Sequence, residues 1–280
     1  MKKFIFLLLA CCANAYSGPT ASYALYDYDA HQFVIKEDVD RVRSMASITK
    51  LFTAMTVIRS GVNLQEKVKV TGRSRGFVPR NSMISRYDLL RAMLISSDNL
   101  ASESLANAHP GGFNQFIIDA NFYADQVLKL RETKIVDSSG LLPGNITNVN
   151  DLIDLLDSIK ENAVIKNIAA ERNAIVTMFV PQGKKQKQVT INFKNTNPQL
   201  WTFDNILISK TGFTNAAGRC VVMLVEKQNM KFAVVVLGTK NVYERSKIAK
   251  QLIEIPIEPR IVPVIKPEIK FDMGQEFNLY

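Results

Sequence analysis

Strands near both ends of the chain, helices between them and short turns linking the late strands predict an α/β (α+β) protein. The expected architecture is an antiparallel sheet flanked by helices, with an all-helical lobe inserted. The chain has 280 residues, of which 47% are hydrophobic and 22% charged. That suits one globular unit and is too apolar for a disordered chain.

The elements follow from local pattern. Tyr23–Asp29 and Gln32–Glu37 read as strands around a turn at Ala30-His31. Ile48, Leu51, Phe52, Met55 and Ile58 recur at helical spacing, so Ile48–Ile58 reads as a helix. Lys67–Val70 is a short strand. Ser85 and Asp88 form a capping-box pattern ahead of Leu89, Leu90, Met93 and Leu94. A helix carries Leu100–Ala106. Pro110-Gly111-Gly112 breaks the chain, helix resumes over Phe113–Leu130, and Asp151–Ile159 is another. Strands follow at Ile175–Val180, Gln188–Phe193, Ile206–Lys210, Cys220–Glu226 and Phe232–Leu237, and Asn241–Ile253 closes as a helix. Lys184-Lys185-Gln186-Lys187 reads as an exposed loop or hairpin tip.

Both termini stand apart from the domain, which spans 16–255. Met1-Lys2-Lys3 is a basic start, Phe4–Cys12 is apolar, and Ala13-Asn14-Ala15 fits a small-residue cleavage site. Residues 1–15 therefore read as an export signal, with a mature start at Tyr16 and an exported product. Leu8-Leu9-Ala10-Cys11 also loosely fits lipidation at Cys11. Pro256, Pro259, Pro263 and Pro267 make 256–280 an extended tail. No later run approaches the ~18 apolar residues a transmembrane helix needs, so no span is expected in the mature chain.

Composition removes several classes. The chain holds two histidines, His31 and His109, and three cysteines, Cys11, Cys12 and Cys220. A His/Cys zinc cluster is not available, a disulfide scaffold is excluded, and no metal or organic cofactor is expected. Lys plus Arg outnumber Asp plus Glu by 35 to 26, a formal charge of +9. The surplus suits anionic surfaces such as wall polymers, or solubility alone. The basic residues are not interleaved with aromatics, so no nucleic-acid partner is expected.

Three motifs carry candidate chemistry. In Ser47-Ile48-Thr49-Lys50, helical spacing puts Lys50 one turn from Ser47. A serine nucleophile needs such a base, and free N–H groups at a helix start can stabilise an oxyanion. The same residues also suit a capping serine with a surface lysine. Ser97-Asp98-Asn99 places a hydroxyl and an amide at a helix start, where they can relay a proton and hold a peptide group, or simply cap the helix. Lys210-Thr211-Gly212 ends the apolar strand Ile206-Leu207-Ile208, whose edge can pair with an extended peptide. Gly212 permits close backbone approach, and Lys210 and Thr211 can hold an anion; the alternative is a plain strand end turning at glycine.

In this order the trio resembles the low-molecular-mass serine DD-peptidases, the penicillin-binding proteins of bacterial cell walls. The resemblance runs from about Ala21 to Ile253. It includes Ile84-Ser85-Arg86, Pro110-Gly111-Gly112-Phe113 and the stretch Lys210–Cys220, which looks most like the D-alanyl-D-alanine endopeptidase branch. It implies a DD-peptidase/β-lactamase-like fold. It also implies peptidoglycan stem peptides and cross-links as substrate, and a covalent β-lactam adduct on Ser47.

The roles follow as expectations. Ser47 attacks, Lys50 is the base, and Ser97 relays the proton to the leaving amine. Asn99 binds the substrate's peptide group and orients Lys50. Backbone N–H groups of Ser47 and Phe213 form the oxyanion hole. Thr211, Lys210 and Arg245 hold a carboxylate, the arginine by analogy with related carboxypeptidases. A free lysine has a pKa near 10.4, so a neutral Lys50 at pH 7 would cost about 4–5 kcal/mol. Burial and the nearby Lys210 are expected to lower that cost.

Arg245 favours a carboxypeptidase trimming pentapeptide stems as the alternative activity, or is a surface helix arginine. Other readings stand further off. Gly72-Arg73-Ser74-Arg75-Gly76 matches a hydrolase nucleophile elbow, but Phe77-Val78-Pro79 follows where a helix should start. Glu103 and Asn107 have β-lactamase spacing but come too early in the chain. A wall-binding protein without turnover would keep the cleft. Trp201 lines the cleft or is core, and Cys220 reads as buried and unpaired.

Overall fold

The computed structural model describes residues 21–257. The expected signal at 1–15, Cys11 and the tail beyond Ile257 lie outside the described residues. In chain order the elements are β1 (Ser22–Asp27), β2 (Gln32–Glu37), β3 (Arg43–Ser44), α1 (Thr49–Arg59), β4 (Lys67–Lys69), β5 (Met83–Ser85), α2 (Arg86–Ile95), α3 (Asn99–Asn107) and α4 (Gly112–Phe122). There follow β6 (Ile146–Thr147), α5 (Val149–Ile159), α6 (Ala163–Ala169), β7 (Asn173–Gln182), β8 (Lys185–Lys194), β9 (Ile206–Thr214), β10 (Gly218–Lys227), β11 (Met230–Thr239) and α7 (Val242–Glu254).

The main sheet has the order β2-β1-β11-β10-β9 and is antiparallel throughout. The early hairpin joins the late strands, as expected. Alternation explains why β10 and β11 read as unbroken apolar runs. Phe232, Val234 and Val236 enter one core with Ala249, Leu252 and Ile253 of α7, while Ala233, Val235 and Leu237 enter the other with α1 and α5. A strand buried on both faces needs apolar residues at every position.

The fold class holds, and several details differ from the sequence expectation. The inserted lobe is not purely helical: β7 and β8 leave the main sheet and form a second sheet of order β4-β5-β7-β8. Its outer strand β8 is exposed except at Val189, Ile191 and Phe193. The hairpin tip is Gly183-Lys184, between Gln182 and Lys185, so Lys185 and Lys187 lie within β8. The helix expected over Phe113–Leu130 stops at Phe122, and one π-helical turn carries Tyr123–Val127, closed by Leu128 N–H donating to the Tyr123 carbonyl at 2.9 Å. Helix α6 was not anticipated. It is short and is stabilised by tertiary packing of Ile165, Ile168 and Ala169 plus the Asn162 side-chain cap. Among the described residues no helix is long and apolar enough to cross a membrane.

Two elements set the site. Helix α1 runs through the core, buried from Thr49 to Val57. Strand β9 forms the free edge of the main sheet and passes the start of that helix.

Candidate active site

Ser47 sits in a single 3₁₀ turn, Ala46–Ile48, that leads into α1. Its hydroxyl does not cap the helix. Instead Thr49 Oγ1 donates to the Ala46 carbonyl at 2.8 Å, and Lys50 Nζ lies 2.9 Å from Ser47 Oγ. The capping-serine and surface-lysine reading is therefore set aside: Lys50 has no exposed surface. Its ammonium donates to Asn99 Oδ1 at 2.7 Å and to the Ser139 carbonyl at 2.6 Å. Burial pulls the Lys50 pKa down to about 7, against the upward pull of Asp137 and Asp98.

The second motif is held by its middle residue. Asp98, not Ser97, caps α3, accepting from Ala101 N–H at 2.7 Å. It also accepts from Phe77 and Val78 N–H, which ties the 71–80 loop to the motif. Ser97 is left with φ +61°, an uncommon conformation for a residue other than glycine. Its Oγ accepts from Lys210 Nζ at 3.0 Å.

The third motif lies inside a strand rather than at its end. β9 continues to Thr214, and Gly212 pairs with Cys220 of β10, so no turn occurs at the glycine. The glycine answers a packing demand. A Cβ there would stand 3.0 Å from both the Met45 carbonyl oxygen and Ser47 N. Lys210 is 1% exposed, and its Nζ also donates to the Thr211 carbonyl at 2.9 Å. Burial first, then repulsion from Lys50 and Arg245, pushes the Lys210 pKa well below its ordinary value. The expected repulsion between the two lysines thus falls on Lys210, while Lys50 is tuned by burial.

One contributor carried no motif signal. The loop 137–142 passes under Lys50, and its Ser138 carbonyl accepts from Thr53 Oγ1 at 2.6 Å. Gly140, at φ +83°, leaves no room for a Cβ against the Ala46 carbonyl. Asp137 organises the loop by accepting from the N–H groups of Ser139, Gly140 and Leu142 and from Asn145 Nδ2. Burial pushes the Asp137 carboxyl up, but these donors outweigh it and hold it below its ordinary range. Asp-Ser-Ser-Gly resembles any turn, so only its partners reveal it.

Above these groups is a cavity of about 370 Å³. Ser47, Ser97, Asn99, Thr211, Gly212 and Phe213 line it, with Leu141, Thr196 and Pro198 at its sides. Lys50 and Lys210 lie beneath its floor. Arg245 lines it from α7 and is 6% exposed, not a surface residue. Burial first, then Arg219, lowers the Arg245 pKa. Arg219 stacks over Phe213, 3.5 Å from the ring centroid, and lines the same cavity. None of the ion pairs among the described residues involves Arg245 or Lys210. The site therefore combines a serine with an adjacent uncharged-capable amine and a cationic wall, a set suited to acyl transfer on an anionic peptide.

The other sequence candidates lie elsewhere. Glu103 accepts from Arg73 and Ser74 N–H at 2.9 and 2.8 Å, and Asn107 donates to Thr71. Both lie on α3 and pair with the 71–80 loop rather than with Ser47. His31 is in the exposed β1–β2 turn, and His109 pairs with Asp119 at 2.8 Å, so neither serves Ser74. Cys220 is buried, its thiol pushed up to about 11 by burial. Trp201 is 42% exposed, so it is not core. Among the described residues no group of three or more His, Cys, Asp or Glu comes together.

A family model described as D-alanyl-D-alanine carboxypeptidase matches residues 13–241. The chain is 35% identical over 241 residues to a D-alanyl-D-alanine endopeptidase of Escherichia coli, covering 83% of this chain and 76% of that protein. It is 31% identical over 271 residues to a D-alanyl-D-alanine endopeptidase of Pseudomonas aeruginosa, covering 89% and 84%. Its fold is similar to the crystal structure of the Streptomyces K15 DD-transpeptidase, with a TM-score of 0.76 at 21% identity over 84% of this chain and 97% of that one.

Proposed function

The chain belongs to the D-alanyl-D-alanine carboxypeptidase family of serine peptidases, and from that premise we propose that it is a D-alanyl-D-alanine endopeptidase acting through an acyl-enzyme on Ser47. Its substrate on this reading is the D-alanyl-D-Xaa bond of peptidoglycan cross-links. The observation that carries it is the Ser47–Lys50 pair: 2.9 Å apart, the lysine wholly buried, its pKa about 7. A lysine at its ordinary value would be neutral in only about one molecule in 10³ at pH 7, a handicap of about 4–5 kcal/mol that burial largely removes.

Neutral Lys50 Nζ takes the Ser47 Oγ proton as Oγ attacks the D-alanyl carbonyl. The oxyanion is met by the backbone N–H groups of Ser47 and Phe213, whose relative position the close approach of Gly212 sets. Ser97, supported by Lys210, relays that proton from Lys50 to the leaving amine, which leaves Lys50 neutral again. Water then attacks the ester as Lys50 takes its proton, and that proton passes to Ser47 Oγ as the acyl group departs. Asn99 orients Lys50 through its Oδ1 and offers its amide to the substrate peptide. Thr211 and Arg245, which line the cavity, hold the α-carboxylate that the leaving D-residue keeps in either a cross-link or a free stem terminus, and Lys210 acts from beneath the floor through its bonds to Ser97 and Thr211. Action on the wall requires export, which the sequence of residues 1–15 would provide.

A second reading is supported by Arg245 and Arg219 together. Two guanidinium groups facing one cavity suit the terminal carboxylate of a pentapeptide, and hence a D-alanyl-D-alanine carboxypeptidase. The test is mass spectrometry of products from a D,D-cross-linked muropeptide dimer and a pentapeptide monomer, with Ser47→Ala as control. Release of monomers from the dimer is expected. Loss of only the terminal D-alanine from the pentapeptide would replace the first reading with the second.

A further inference from the structure

The catalytic cavity has a neighbour. Its Thr196 and Pro198 walls also line a second hollow of about 330 Å³, completed by Lys194, Asn195 and Trp201. Thr196 is fixed between the motifs: its N–H donates to the Ile95 carbonyl at 3.1 Å, and its Oγ1 pairs with Thr211 Oγ1 at 2.6 Å. Ile95 lies two residues before Ser97. The second hollow is therefore joined to the catalytic cavity through a wall residue bonded to Thr211 of the third motif and to the segment that leads into Ser97. Phe213, Arg219 and Val242 line the cavity further along β9.

We propose that this hollow, with Trp201 and Lys194, is the subsite for the leaving half of a cross-linked peptide, a second stem bearing a free carboxylate. The inference rests on the endopeptidase reading and deepens it. A carboxypeptidase releases a single small residue, which the catalytic cavity alone can hold. Opening a cross-link releases a whole stem attached through the side chain of the leaving residue, and that stem needs somewhere to lie.

The chemistry of the hollow fits a peptide of that kind. Trp201 is 42% exposed and offers an apolar plate. Lys194 Nζ stands 5.2 Å from the centre of its ring and has no acidic partner among the described residues. No aspartate or glutamate occurs from Asn173 to Phe203, and Asp204 is engaged by Arg172. An ammonium beside an apolar plate in an acid-free stretch attracts a carboxylate-bearing chain.

The test compares two substrates in the full-length protein: a sugar-free D,D-cross-linked peptide dimer and a pentapeptide. Benzylpenicillin acylation serves as an independent measure of Ser47. Trp201→Ala and Lys194→Gln should each raise KM for the dimer about fivefold to tenfold with kcat within about twofold. Pentapeptide turnover and penicillin acylation should change by less than about twofold. Trp201→Phe and Lys194→Arg should recover most of the loss.

Equal losses on both substrates would assign Trp201 and Lys194 to stability instead. An unchanged KM for the dimer would remove the subsite. Wild-type protein that acylates with penicillin yet leaves the dimer intact would also overturn it, while the serine DD-peptidase chemistry stands. Absence of acylation and of both cleavages would fail the enzymatic reading itself.

Discussion

Strand β9 and strand β8 are both long, antiparallel and lysine-bearing, and they do opposite things with the lysine. β9 is buried from Ile208 to Gly212, and its Lys210 is 1% exposed between Ser97 and Lys50. β8 is exposed from Lys185 to Gln188 and carries Lys185 and Lys187 on the outlying sheet. What separates them is the packing on either side, not the strand. β9 is pressed against the turn that carries Ser47, so its Lys210, Thr211 and Gly212 are constrained by the geometry of the site. β8 meets helix α2 on one side, and it nears the site only at its last residue, Lys194, and in the segment that follows, at Thr196. A buried cation must be tuned, and a solvated one need only keep the surface charged.

Substitutions should therefore lose force on passing from the inner wall to the outer hairpin. Ser47→Ala should abolish penicillin labelling and cleavage, a fall of at least about 10³-fold in acylation. The pH profile comes next. With Lys50 at about 7, its ammonium form dominates below that value and cannot accept the serine proton. Acylation measured by stopped-flow should fall about tenfold per unit below pH ~7 and level off above it.

Gly212→Ala puts a Cβ 3.0 Å from Ser47 N and the Met45 carbonyl, so the oxyanion pocket must shift by a few tenths of an ångström. We expect about a tenfold slower acylation with a small change in Tm. Asp137→Asn should cost about 1–3 kcal/mol of stability in thermal denaturation, because several N–H donors lose their carboxylate. It should also move the acylation midpoint to lower pH, since the Asp137 charge holds the Lys50 pKa up. Combined Lys184→Gln, Lys185→Gln and Lys187→Gln on the hairpin should change acylation by less than about twofold.

The same contrast explains what could be read in advance. Ser47, Lys50, Ser97, Asn99 and Lys210 were legible because their spacing along a helix and their order along the chain restrict the chemistry. Strands β10 and β11 were legible in their apolar runs, while their burial on both faces emerges only in the packing. The loop 137–142 was not, since its role lies in carbonyls and N–H groups that every residue has. Nor did pattern alone place β7 and β8. Alternation marks a strand but not the sheet it joins, and Met83 pairing with Phe179 is a long-range choice. β9 runs on through Thr211 to Thr214 although a glycine in Lys-Thr-Gly also suits a turn; contact with Ser47 is the reason for the glycine. The burial of Arg245 depends on α7 packing across the sheet, which helical periodicity does not reveal.

The acyl-enzyme on Ser47 is best tested by the mass of the intact protein after exposure to benzylpenicillin, followed by peptide mapping of the adduct. One stoichiometric adduct is expected, carried on the peptide containing Ser47 and absent from Ser47→Ala. An adduct on another residue, or an equal adduct in the variant, would contradict it.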